Sequence, residues 1–133
     1  MITCVAIDYC GTFAVTGSMD TTCMIWQIIQ EDGLSINLNP TPVHILYGHT
    51  ECVTCVDLSV ELDLVVSGSL DGTINIYNLR SGHYIKTLHV KTSQFPDLKV
   101  MNIKLSEQRH ILAYSHRQCD EYDTITPKFQ VFC

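Results

Sequence analysis

The sequence predicts an all-β fold: a β-propeller fragment of four-stranded blades, two of them complete and a third partial. Two observations carry this. The chain repeats itself at a fixed spacing, and each repeat is a run of short strands. Thr3-Cys4-Val5, Thr16-Gly17-Ser18-Met19-Asp20 and Met24-Ile25-Trp26 recur as Thr54-Cys55-Val56, Ser67-Gly68-Ser69-Leu70-Asp71 and Asn75-Ile76-Tyr77, always 51 positions later. A weaker third copy sets residues 100–116 against 53–69 at an offset of 47, placing Ile103 on Val56, Leu105 on Leu58 and Ile111 on Leu64. A unit repeated in this way buries its apolar face only against its neighbours. Four short strands per unit, repeated radially, make a propeller.

The elements follow in order. Residues 2–8 and 53–59 are rich in small apolar and β-branched residues and read as the first strand of each unit. Turn-like Tyr9-Cys10-Gly11-Thr12 and Glu61-Leu62-Asp63 lead into second strands at 13–18 and 64–69. Tight connections through Asp20-Thr21 and Asp71-Gly72 lead to third strands at 22–28 and 73–79, Asp-Gly being a favoured hairpin dipeptide. Fourth strands fall at 43–47 and 83–88, the latter reached through Ser81-Gly82. Residues 30–42, with Asp32-Gly33 and Asn39-Pro40-Thr41-Pro42, read as a long surface loop. A second insertion at 117–127 separates strands two and three of the last copy, which ends with a strand at 128–133. The units therefore divide as 1–47, 48–90 and 91–133.

Composition narrows the class. With 46% hydrophobic and 17% charged residues, the chain forms a core and does not read as a disordered tail. Charge is split unevenly: residues 1–79 hold nine acids and no Lys or Arg, while residues 80–133 hold eight basic residues and five acids. An acidic majority argues against nucleic acid, whose phosphates need a basic stripe, and favours protein or peptide ligands. No run approaches the ~18 apolar residues of a membrane helix. The first basic residue is Arg80, so no basic leader of a secretory signal is expected. Seven cysteines without framework spacing then suggest free thiols and a cytoplasmic setting.

Few motifs tempt a chemical reading. His49, Ser67 and Asp71 have the composition of a hydrolase triad, but neither Gly17-Ser18-Met19-Asp20 nor Gly68-Ser69-Leu70-Asp71-Gly72 has the Gly-x-Ser-x-Gly spacing of a nucleophile elbow. Cys52-x-x-Cys55 is half of a zinc pattern with no second half, and residues i and i+3 of a strand point to opposite faces. His44, His83, His89, His110 and His116 show no ligand spacing, and no phosphate-binding, dinucleotide or calcium loop is present. Neither a metal nor another cofactor is expected.

Gly48-His49, followed by Ser67-Gly68-Ser69-Leu70-Asp71-Gly72-Thr73 and an aromatic at Tyr77, resembles the WD40 repeat, with Trp26 in the aromatic slot of the first copy. Residues 20–27 and 46–50, joined by the long loop, look like the carboxy-terminal propeller of the neurobeachin group of BEACH-domain scaffolds. The departures are plain. Tyr77 stands for the usual Trp, and the third copy has Tyr114-Ser115-His116 where a Ser-x-Asp turn belongs.

The resemblance implies a structural relay and not catalysis. Its members would be Thr16, Asp20 and Trp26 in the first copy, and His49, Ser67, Asp71 and Tyr77 in the second: aromatic to strand-two hydroxyl, hydroxyl to imidazole, imidazole to turn aspartate. It also implies a partner-binding face at Ile2, Met19 and Thr21 in the first copy and Glu51, Val53, Leu70 and Gly72 in the second. The implied function is a non-catalytic interaction module of a cytoplasmic scaffold in vesicle trafficking and protein kinase A anchoring. Its ligands would be proteins, peptides or the adjacent BEACH region, with any membrane association indirect. The alternatives are a WD40 subunit of another assembly, such as a ubiquitin-ligase substrate receptor, and a serine hydrolase built on His49, Ser67 and Asp71.

Overall fold

A computed structural model describes residues 1–31, 35–38, 40–91, 98–108, 110–117 and 126–132, whose strands form three antiparallel sheets. The first holds β1 (Ile2–Ile7), β2 (Phe13–Ser18), β3 (Cys23–Glu31), β4 (Ser35–Leu38) and β5 (His44–Leu46). The second is the meander β6 (Val53–Ser59), β7 (Leu64–Ser69), β8 (Thr73–Asn78) and β9 (Tyr84–His89). The third is β10 (Leu98–Leu105), β11 (Ile111–Arg117) and β12 (Thr126–Phe132). Their first strands stand side by side, β1 against β6 and β6 against β10, so the sheets are blades arranged as the repeat requires.

Local chemistry explains the turns. The buried Asp8 carboxylate accepts N–H bonds from Thr12 and Phe13 at 2.6 Å and from Cys10 at 3.1 Å, closing the β1–β2 connection. The first strand of every blade carries a register shift at one place: Ile2/Cys4, Val53/Cys55 and Val100/Asn102. A bulge that recurs at the repeat spacing is a designed bend and no accident of one strand.

Two expectations are corrected. Residues 30–42 are not simply a loop. β3 runs on to Glu31 and pairs with β4 through Ile28↔Leu38 and Ile29↔Asn37, while β5 completes the blade on the first half of β3. The β-favouring run continues through Ile28-Ile29, and Ser35-Ile36-Asn37-Leu38 alternates polar with apolar, a signal hidden by the surrounding turn residues. Asp32, Gly33 and Asn39 lie outside the described residues, as does the stretch 118–125 of the second insertion.

The second correction concerns the third copy. Leu105 pairs with Ile111 where Leu58 pairs with Val65, so Ile111 takes the place of Val65 and not of Leu64. The β10–β11 connection is one residue shorter than its counterpart, which an ungapped comparison misses. A slip of one residue exchanges the faces of a strand. Ile111 is accordingly buried, Tyr114 falls at the Gly68 position and Ser115 at that of Ser69.

The core lies between blades. Val15, Ile25 and Leu46 of the first sheet pack on Val53, Val56, Leu58, Val65 and Tyr77 of the second. Val66, Ile74 and Ile76 of the second pack on Val100, Ile103 and Ile111 of the third. One device is used at both junctions. A Cβ on Gly17 would lie 2.6 Å from a Val53 methyl, and one on Gly68 would lie 2.5 Å from a Val100 methyl. The Thr3 hydroxyl donates to the Val53 carbonyl, and the Thr54 hydroxyl donates to the Val100 carbonyl at 2.6 Å. Each blade thus offers a glycine socket and a hydroxyl to the valine of the next.

Gly68→Ala should cost about 1–3 kcal/mol, the usual penalty of overpacking, because the added methyl also meets Cys55 Sγ at 2.6 Å. Gly17→Ala should do the same at the first junction. Urea denaturation of the propeller checks both, and an unshifted midpoint would show that the junction is not close-packed.

Candidate functional site

The relay of the second blade is assembled from three segments. Gly48-His49 precedes β6, Ser67 sits within β7, and Asp71 occupies the β7–β8 turn. His49 Nε2 lies 2.7 Å from Ser67 Oγ. Its Nδ1 lies 3.1 Å from Thr73 Oγ1 and 3.4 Å from Asp71 Oδ2. Asp71 in turn accepts from Thr50 N at 3.0 Å, Thr73 N at 2.9 Å and the Thr73 hydroxyl at 2.5 Å.

The proton positions follow from this geometry. Burial pushes Asp71 upward, but the hydrogen bonds from Thr73 and Thr50, together with His49, outweigh it and hold the carboxyl below its ordinary range. An ionised carboxylate only accepts, and Thr73 spends its hydroxyl proton on it. His49 Nδ1 must therefore carry a hydrogen toward Thr73 and Asp71, leaving Nε2 to accept from Ser67. Burial, opposed by Asp71, lowers the imidazole below its usual value, so it is neutral near pH 7.

Tyr77 interacts with Ser67, the expected link, and reaches further. Its hydroxyl donates to the Tyr47 carbonyl at 2.8 Å and accepts from Asn75 Nδ2 at 3.1 Å. Thr87 then donates to Asn75 Oδ1 at 2.8 Å. A tyrosine thus ties the second blade to the segment leaving the first, whereas in the first blade Trp26 Nε1 donates to Thr16 Oγ1 at 3.0 Å. Asp20 keeps the turn half of the pattern, accepting from Thr22 N at 3.0 Å and Thr22 Oγ1 at 2.5 Å. Among the described residues no imidazole joins these two halves.

Residues 1–122 match the family model described as the neurobeachin beta propeller domain. The chain belongs to that family. It is 37% identical over 102 residues to BEACH domain-containing protein B of Arabidopsis thaliana and 34% identical over 88 residues to BEACH domain-containing protein lvsE of Dictyostelium discoideum. Each match takes in 66% of this chain and only 4% of the relative, so the chain spans a small fraction of these proteins. Mitochondrial division protein 1 of Schizosaccharomyces pombe is 29% identical over 118 residues, covering 80% of this chain and 18% of that protein.

The rim of this neurobeachin-family propeller is held by the same hydrogen bonds. Leu70 N donates to the Cys52 carbonyl at 3.1 Å, and Ser69 Oγ donates to the Glu51 carbonyl at 3.1 Å. The first blade repeats this, with Met19 N and Ser18 Oγ each 3.0 Å from the Met1 carbonyl. Glu51 and Met19 are exposed there, and Leu70 and Thr21 are half-buried. Two of the expected face residues are not on it. Val53 is wholly buried as the plug of the first junction. Gly72 is covered by Lys91 and lies against the Leu98 carbonyl, 2.7 Å from where its Cβ would stand. Ile2 is exposed, but it occupies the plug position of its own repeat. The plugs were legible as a recurring apolar residue, yet only the packing shows that they face a neighbouring blade.

Thr50, Thr73 and Asn75 are the members that sequence reasoning passed over. Thr22 and Thr73 share the 51-residue offset and follow their aspartates by two positions, which was the available signal. Their turns also share one backbone conformation, with φ of 79° at Thr21 and 80° at Gly72. Glycine adopts it freely, and the β-branched Thr21 does so under strain. Cys55, half of the Cys-x-x-Cys pattern, is buried under Gly68, and burial pushes its thiol up to about 12. That is the state of a thiol packed in a core.

Asp71→Ala should destabilise the second blade by about 1–3 kcal/mol, since Thr50 N, Thr73 N and His49 lose their shared acceptor. A melting temperature equal to that of the parent propeller would overturn the structural role.

The network also sets a pH dependence. The folded-state pKa of His49 lies below its ordinary 6.5, so the unfolded chain takes up a proton first as pH falls. Stability present above about pH 6.5 should be lost progressively below it, with a second loss below about 3.8 as Asp71 follows. His49→Gln should flatten the first descent in a plot of melting temperature against pH; an unchanged slope would exclude His49 as its source.

Proposed function

We propose that this chain is a non-catalytic docking part of a WD40 propeller in a BEACH-type scaffold, one that serves vesicle and membrane trafficking and protein kinase A anchoring. It would act in the cytoplasm, reach endomembranes only through the parent scaffold, and bind proteins or peptides, the adjacent BEACH region among them. The observation that carries this reading is the rim. Asp71 and Ser69 fix two loops to one another through backbone hydrogen bonds, while Glu51, Met19 and Leu70 remain at the surface. Loops held rigid by a scaffold are where recognition residues concentrate, and an apolar group beside a carboxylate suits a basic or amphipathic peptide.

The hydrolase reading is disfavoured by burial. The connectivity Asp71–His49–Ser67 is that of a triad, but Ser67 is 0% exposed in the middle of β7, beneath the first blade. A nucleophile that no substrate can touch is a structural hydroxyl. The BEACH setting is favoured over a ubiquitin-ligase receptor by the names of the relatives, which carry that domain.

Glu51→Lys combined with Leu70→Asp should weaken binding of the natural partner by about tenfold or more, with the melting temperature of the full propeller held, because neither side chain belongs to the two cores. Wild-type affinity in the double variant would move the docking face elsewhere, first to the segment between residues 30 and 42.

A further inference from the structure

A second polar chain crosses the second blade, and the repeat does not supply it. It starts at Tyr84 on the outer strand β9, a residue 55% exposed whose ring stands edge-on to that of Tyr77, 6.0 Å between centres. The Tyr84 hydroxyl lies 2.6 Å from Thr87 Oγ1, and Thr87 donates to Asn75 Oδ1 at 2.8 Å. Asn75 Nδ2 meets the Tyr77 oxygen at 3.1 Å, and the Tyr77 hydroxyl reaches the Tyr47 carbonyl at 2.8 Å. Asn75 and Tyr77 are both buried. The inner end closes on Gly48, where a Cβ would stand 2.8 Å from Asn75 Nδ2 and 3.2 Å from the Tyr77 oxygen. Met24 stands one repeat before Asn75 and has no amide to offer. In the third blade the register puts Gln130 at the Asn75 place, with a buried Oε1 that has no hydrogen-bond partner. The chain belongs to the second blade.

The direction of every bond follows from its inner end. A carbonyl only accepts, so Tyr77 donates to Tyr47 and accepts from the Asn75 nitrogen. That turns the Asn75 oxygen toward Thr87, which donates to it and takes the Tyr84 proton on a lone pair. Each hydroxyl can both donate and accept, and the amide can turn over within nearly the same shape, so the whole chain can also run the other way. Reversed, Thr87 donates outward to Tyr84 and Tyr77 donates to the Asn75 oxygen, leaving the Tyr47 carbonyl without its donor. We infer that Tyr84 is a modification site that sets this direction: a phosphoryl ester on its oxygen reverses the chain and releases Tyr47. The ester forms when the phenol oxygen takes the γ-phosphoryl group of a nucleoside triphosphate, the diphosphate leaves and the phenol proton passes to solvent. Its ionised oxygens only accept, and a hydrogen bond to an ionised acceptor is about twice as strong as a neutral one. The Tyr47 carbonyl gives up only a neutral bond in exchange. Release of Tyr47 loosens Gly48-His49-Thr50, the segment that enters the relay. This goes beyond the docking role proposed for the rim and does not rest on it.

The test places phosphotyrosine at position 84 of the full propeller by codon suppression and follows the carbonyl carbon of Tyr47 by NMR. Its resonance should move upfield as the hydrogen bond is lost, and exchange of the Thr50 amide should quicken by about fivefold or more. Tyr84→Phe should leave both at their parent values, because the inward chain from Thr87 stays complete without it. Thr87→Val cuts the chain between phosphate and amide and should abolish the response to phosphotyrosine, while Thr87→Ser should retain it. Tyr77→Phe reads the same point from the inner end. It should shift the Tyr47 resonance by itself and make it insensitive to the phosphate. An unmoved Tyr47 resonance in the phosphotyrosine form would overturn the inference. So would an equal response in the Thr87→Val form, which would show the charge acting through space, or a response to Tyr84→Phe as large as that to the phosphate.

Discussion

The contact between a glycine in one blade and a valine in the next is the constraint on which the rest of this structure depends. Gly17 receives Val53, and Gly68 receives Val100, at distances that leave no room for one further carbon. The adjacent threonine hydroxyls bind the carbonyls of those same valines. The burial of apolar surface is non-directional and would tolerate many offsets between two sheets. The socket and the hydroxyl convert it into one register. The recurring bulge belongs to the same device, since it falls between Val53 and Cys55 and again between Val100 and Asn102, at the residue that must enter the socket.

The polar network depends on that junction. Ser67, His49 and Tyr77 lie on the face of the second blade covered by the first, where Cys23 and Leu46 exclude water. Without the cover the imidazole would be solvated and its pKa unshifted. With it, every proton has an assigned acceptor: Ser67 to His49, His49 toward Thr73 and Asp71, Thr73 to Asp71, Tyr77 to Tyr47. A buried network satisfied in this way is rigid, and its rigidity reaches the surface at Thr50, which carries the carboxylate of Asp71 on its amide. The rim at Glu51 and Leu70 is thus positioned by groups buried beneath it.

The sequence made the strands and their order legible because the repeat is gapless over 51 residues and each strand carries a β-favouring run. Thr22 and Thr73 were readable in principle from that same offset. Other features were out of reach. The one-residue shortening between Leu105 and Ile111 leaves no trace in composition, yet it decides which side of β11 faces the core. Val53 looks like a rim residue by its position after Gly-His and is a plug by its packing. Tyr77 reads as a weakened tryptophan, but its hydroxyl donates to Tyr47 and accepts from Asn75 at once, whereas an indole N–H only donates. In each case the missing information was what lies across the junction, which a pattern within one repeat does not hold.

Burial separates structure from catalysis in the Ser67–His49–Asp71 set. Identity, tautomer and connectivity are those of a charge-relay triad, and a search on geometry alone would return one. What differs is where the serine stands. A catalytic nucleophile sits on a turn at the edge of a cleft, so that its oxygen meets both the base and the substrate. Ser67 sits mid-strand, with His49 on one side and the first blade across the junction. Its hydroxyl proton is committed to holding the imidazole, and the imidazole to holding the turn. The acidic group, the base and the hydroxyl therefore serve to fix the shape of a surface.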